Sequence, residues 1–117
     1  MAYALIVIEP PGQRSTRSDA AGREVYGRME RFSEELKRRG LLTVGQSLKT
    51  GASDARVQVR GDSVIITDGP FAEVKEVMGG FFLLTCETRE QAIEIARECP
   101  AAQWATVEVR ELGPCFA

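Results

Sequence analysis

Apolar residues along the chain fall into short runs with two different periods, and the alternation of those periods outlines the fold. "YALIVI", residues 3–8, is a nearly continuous apolar run closed by Glu9-Pro10-Pro11-Gly12. It predicts a strand covered on both faces, followed by a loop. Val25, Met29, Phe32 and Leu36 recur at spacings of four, three and four, the stripe of a helix. Ser18 suits its N-cap, with Asp19 in the first turn. Lys37, Arg38 and Arg39 fill its last turn, and Gly40 suits a left-handed stop. Residues 41–50 alternate loosely and predict a second strand, with Gly45 marking a bulge. After a Gly51-Ala52-Ser53 loop, "RVQVRGDSVIIT" alternates on either side of Gly61-Asp62, a hairpin pattern. "GGFFLLTCE" predicts the next strand, starting at two glycines. Thr88 to Gln91 fits a capping box opening a helix, with Ala92, Ile93, Ala96 and Cys99 as its apolar face and Pro100 as its end. "WATVEVREL", residues 104–112, alternates as a last strand.

The order is strand, helix, strand, hairpin, strand, helix, strand. Two β-α-β halves of this kind predict an α+β, ferredoxin-like sandwich with an inserted hairpin. Both helices then lie on one face of an antiparallel sheet. The first and fifth strands are apolar on both faces, so the other face calls for a cover, and a second copy packing sheet to sheet supplies it. A homodimer is therefore expected. The 117 residues suit one domain, with 44% hydrophobic and 27% charged residues as in ordinary globular chains. No apolar run is long enough to span a bilayer and no basic segment precedes the first strand, so a cytoplasmic protein without membrane contact is expected.

Charge and reactive side chains narrow the chemistry. A net charge of -2 argues against a nucleic-acid binder. The segment from Arg14 to Arg39 nevertheless carries an excess of basic residues, which leaves a basic helix from Arg23 to Arg39 available to an acidic partner. Histidine is absent. That removes Ser-His-Asp and Cys-His nucleophiles within one chain and the commonest metal ligand, so neither metal nor cofactor is expected. Cys86, Cys99 and Cys115 form no Cys-x-x-Cys pair. The first two read as small core residues, and Cys115 as a tail thiol.

The densest punctuation is "TDGPFAEVKEVMGGFF", residues 67–82. Asp68 can bond amides two residues on, Gly69 can take a positive φ, Pro70 fixes its own φ, and Phe71 can bury its ring as an anchor. Gly79 and Gly80 let a backbone or ligand approach the next strand. The functional reading places Asp68 as an acid-base group beside a cavity. Lys75 is then an anion contact, Gly69, Pro70, Phe71, Gly79 and Gly80 form the ligand-binding turn, and Tyr26 and Trp104 form walls.

The stretch "ITDGPFAEVKEVMGGFF" resembles the signature of the YCII-related family, in its Asp-Gly-Pro-Phe branch. The likeness continues through "ARECPAA" and "VEVREL", from Tyr3 to about Leu112. The resemblance implies a ferredoxin-like fold that dimerises into an α/β barrel. Some relatives look enzymatic, with a histidine and an aspartate in the cavity, and some are encoded beside extracytoplasmic-function sigma factors. Here Gln103-Trp104 stands where branch members often carry histidine, so the His-Asp mechanism does not carry over and only the Asp68 region matches residue by residue. The leading reading, which rests on the residues of the turn and on the missing histidine, is a small-molecule cavity near that turn with metal-free acid-base chemistry. The alternative is an interaction module that binds a transcription-related protein.

Overall fold

The computed structural model describes residues 2–49, 51, 53–71 and 75–116. Six strands and two helices run in the order β1 (Tyr3–Glu9), α1 (Asp19–Arg38), β2 (Leu42–Ser47), β3 (Ala55–Arg60), β4 (Ser63–Asp68), β5 (Val77–Leu84), α2 (Arg89–Glu98) and β6 (Thr106–Glu111). Short 3-10 turns precede α1 and follow α2. The main sheet has the order β2-β5-β1-β6, and its pairings are antiparallel. This is the expected α+β, ferredoxin-like arrangement. The β3–β4 hairpin is a separate two-stranded sheet inserted between β2 and β5.

Local chemistry sets the helix ends. Ser18 accepts a bond from the Ala21 amide at 3.1 Å, and Thr88 accepts one from Gln91 at 3.1 Å. Each side chain satisfies a first-turn amide that has no partner inside the helix. Gly40 takes φ +71° just past α1, where a side chain would be strained. Pro100 does end α2, and it also opens the 3-10 turn Pro100–Gln103.

One core lies between the helices and the sheet. Leu5, Leu36, Leu84 and Ile95 are its largest fully buried residues, and Phe32 meets Phe82 edge-on with ring centroids 5.3 Å apart. The α2 face differs from expectation: Ala92, Ile95, Ala96 and Cys99 are buried and Ile93 is half-buried. At about 100° per residue, Cys99, Ala92 and Ala96 form the middle of the buried arc, Ile95 lies at one edge about 40° beyond Cys99, and Ile93 lies about 60° beyond Ala96 on the other side. The bulge in β2 lies between Leu42 and Val44, not at Gly45. Gly45 is required for space instead, since a Cβ there would stand 2.7 Å from the Phe82 ring. The last strand begins at Thr106 because Trp104 and Ala105 complete the turn after α2.

Register sorts the sheet's two faces. Tyr3, Leu5, Val7, Phe82 and Leu84 point to the helices and belong to the core. Ile6 lies opposite Phe81, Ala4 opposite Leu83 and Ile8 opposite Met78 on the other face. Ile6, Ile8, Phe81, Leu83 and Met78 fall outside the core cluster, and Met78 is 42% exposed. The open apolar face is thus present in the single chain. None of the described helices is long and apolar enough to cross a membrane.

The radius of gyration is 16.1 Å, against about 13 Å for a compact chain of this length. The hairpin accounts for the difference: β3 and β4 pack extensively on each other and at most slightly on any other described element.

Candidate functional site

Segments distant in sequence build a cavity of about 530 Å³ between α1 and the sheet. That size suits a small molecule. Its floor is the end of β1, with Val7 and Glu9, and the adjoining parts of β5 and β2, with Gly79, Gly80, Phe82 and Gly45 to Ser47. The wall is α1, through Val25, Tyr26, Met29 and Ser33, with Arg14 and Arg17 from the preceding turn and Trp104 from the turn after α2. A more open groove continues past Ser18, Asp19 and Arg23 at the start of α1.

Glu9 is the one buried charged residue among those described. Its carboxylate meets Arg14 with Nε–Oε1 at 2.9 Å, and the Arg14 Nη2 also donates to Oε2 at 3.3 Å. Arg14 donates further to the carbonyls of Leu48 at 2.6 Å and Gly79 at 3.0 Å. One guanidinium therefore joins the end of β1 to both roots of the hairpin excursion. The planar fork of arginine suits this multiple bonding, which a lysine does not reproduce. Gly79 clears the space for Glu9, and Gly80 lets the Gln46 carbonyl approach to a distance at which a Cβ would stand 2.8 Å away.

The mouth is aromatic and cationic. The guanidinium carbons of Arg28 and Arg17 lie 5.1 and 5.8 Å from the Trp104 ring centroid, within cation-π range. Arg28 also donates to Gln103, and Gln13 donates to the Trp104 carbonyl at 2.5 Å, fixing the loop from both sides. Arg17 is half-buried, and no described carboxylate forms an ion pair with it.

The residues singled out from sequence divide in two groups. Gly79, Gly80, Tyr26 and Trp104 line the cavity. Asp68, Gly69, Pro70, Phe71 and Lys75 do not line it in the single chain. Asp68 ends β4 opposite Ala55 and is exposed, as is Lys75. Gly69 has no positive φ, and its role is spatial: a Cβ would stand 2.8 Å from the Asp54 Cβ and 2.9 Å from the Gly51 carbonyl oxygen. Its amide donates to the Asp54 carbonyl at 2.6 Å, and the Gly69-Pro70 peptide is cis. Phe71 is half-buried beneath the Arg56 guanidinium, 3.8 Å from its ring centroid. The turn is thus a knot at the base of the hairpin. That base is at the same end of the sheet as Glu9, because β2 and β5 both meet the excursion there.

The basic face of α1 is partly neutralised. Arg38 pairs with Glu35, Arg39 with Glu98, and Arg28 turns to Gln103 and Trp104. Of the cysteines, Cys86 and Cys99 are buried and Cys115 is exposed. Burial pushes the Cys99 thiol up to about 11, and pushes Cys86 in the same direction.

Glu9 and Arg14 were not singled out from the sequence. The available signal was an acidic residue ending an otherwise apolar strand, with an arginine five positions later, but the partner that clears their space lies 65 residues beyond Arg14. Among known proteins, an uncharacterized protein of Rhizobium meliloti (strain 1021) is 28% identical over 115 residues, covering 97% of this chain and 93% of that relative. Residues 1–115 match the YCII-related domain, and the chain belongs to the YCII-related family.

Proposed function

We propose that the protein binds a small organic acid in the Glu9–Arg14 cavity, acts on it by proton transfer without a metal, and works as a homodimer through the open sheet face. The observation that carries this reading is the ion pair in the cavity floor. Replacing a buried ion pair by apolar side chains of the same volume is often neutral or stabilising, so stability alone does not explain why the pair stands here. A ligand that meets its charge, or exchanges a proton with it, does.

Arg17 supports the choice of an acid, being a half-buried cation that faces the Trp104 ring, with no ion pair to a described carboxylate. Tyr26, Val25, Met29 and Phe82 supply an apolar and aromatic body to the site. In this reading Glu9 transfers the proton, and Asp68 and Lys75 serve the hairpin base beside the cavity.

Trp104 is the only tryptophan, so its fluorescence reads the cavity directly. Titration with benzoate and pyruvate, together with native mass spectrometry of freshly purified protein, tests the reading. The expected results are saturable quenching weakened at least about tenfold in Arg17→Ala, and loss in Glu9→Gln, with binding retained, of the exchange of pyruvate methyl protons with solvent deuterium, in which the Glu9 carboxylate takes a methyl proton to give the enolate and returns one. Absence of quenching together with absence of bound mass overturns it.

A transcription-related partner on the basic face of α1 is the alternative function. Exposed Arg23 and Arg31 favour it, while the ion pairs at Arg38 and Arg39 leave less free charge to recognise. Charge reversal at Arg23 and Arg31 that abolished capture of a purified sigma factor would favour this alternative over the cavity.

A further inference from the structure

We infer that the β3–β4 hairpin is an arm that closes on a second copy of this chain, laying its Val57, Val59, Val64 and Ile66 face against it. The inference rests on the homodimer reading and deepens it by naming a second contact surface.

Register makes the arm two-faced. Val57 lies opposite Ile66 and Val59 opposite Val64, so these four side chains form one apolar face. They are 64%, 65%, 59% and 62% exposed in that order. The reverse face pairs Arg56 with Thr67, Gln58 with Ile65 and Arg60 with Ser63. The reverse face is polar apart from Ile65, which is 45% exposed, and a mostly polar face fits an arm lying on a surface with one side in water. An isolated two-stranded hairpin is marginal in water and needs packing on its apolar side. Among the described elements of the same chain, none makes more than slight contact with the hairpin.

A second copy is the occupant that the areas favour. The open face of the main sheet offers about a dozen residues, and those on β6 are the polar Thr106, Glu108 and Arg110. Stable interfaces use roughly 20–30 residues a side. The sheet face alone falls short; one face of the arm adds about six residues, and the patch that receives the partner's arm adds about as many, which brings each side into that range. Both surfaces belong to one chain, and the arm leaves the sheet from its β2–β5 side. Two-fold symmetry then places each arm against the other copy, so both uncovered surfaces are buried by one operation.

Sedimentation equilibrium of the full chain over a wide concentration range tests this with Val57→Lys/Ile66→Lys on the apolar face and Gln58→Lys on the reverse face. Circular dichroism and Trp104 emission check that the core is intact. The wild type is expected to dimerise, the double variant to dissociate about a hundredfold more readily, and Gln58→Lys to match the wild type. Amide exchange across residues 55–68 is expected to slow as the dimer forms. A double variant that dimerises like the wild type, with arm exchange independent of concentration, overturns the arm and leaves the sheet dimer standing. A wild type that stays monomeric overturns both.

Discussion

Gly79 and Glu9 compete for one space. A Cβ on Gly79 would stand 2.5 Å from the carboxyl carbon of Glu9 and 2.6 Å from its Oε2. The φ of Gly79 is not positive, so crowding alone calls for the glycine. Gly79→Ala is therefore expected to destabilise the fold by about 1–3 kcal/mol, the usual cost of overfilling a packed site. Thermal unfolding measures it, and an unchanged midpoint would mean that the carboxylate is free to move aside.

Truncating Arg14 costs more than neutralising Glu9. Arg14→Leu leaves the buried carboxylate unpaired and also removes the bonds to Leu48 and Gly79. With the Arg14 side chain 31% exposed, a loss of about 2–3 kcal/mol is expected, below the range for fully buried pairs. Glu9→Gln keeps the shape and an acceptor, and about 1 kcal/mol is expected. Urea unfolding of both variants gives the order.

Gly45 and Phe82 should be energetically coupled. A Cβ at Gly45 would strike the ring at 2.7 Å, so Gly45→Ala destabilises the wild type. In a Phe82→Leu background the added methyl has no ring to meet. A double-mutant cycle is expected to show coupling of about 1 kcal/mol, and additivity would mean that the ring already moves freely.

Alkaline stability should follow the buried thiols. Cys99 holds its proton in the fold up to about 11, against an ordinary value of 9.0. Between those values the unfolded chain has released the proton and the native chain has not. Stability present below pH 9 is accordingly lost as the pH rises toward 11, with a slope of up to about 1.4 kcal/mol per pH unit. Cys86 acts in the same sense. Cys99→Ala should flatten the slope in denaturation curves taken from pH 8 to 11, for which the alternative outcome is a slope unchanged by the substitution.

Elements with local causes were legible in the sequence. Ser18, Thr88 and Gly40 carry their own stop and start chemistry, and the helix and hairpin registers follow from side-chain period. Ile95 was missed because a short helix with two isoleucines two positions apart offers two nearly equivalent faces, and only packing chooses. The Asp68 turn was conspicuous because glycine and proline mark backbone shape wherever they stand. The cavity floor was not conspicuous, because Glu9, Arg14 and Gly79 become neighbours only after β1 pairs with β5. Tyr26 and Trp104 were named as walls, but no pattern in the sequence places them beside the cavity or shows the two guanidinium groups that flank the indole.

The hairpin leaves the main sheet after Ser47 and returns at Val77, yet Ser47 already lies opposite Gly80 and the Leu48 amide already reaches the Gly79 carbonyl. Strands β2 and β5 are thus antiparallel neighbours that a tight turn can join. The intervening residues are a detour that the four-stranded sheet does not require for closure, and the excursion behaves as a cassette. It can be shortened, exchanged or grafted while the register of the sheet and the helix-facing core stay as they are.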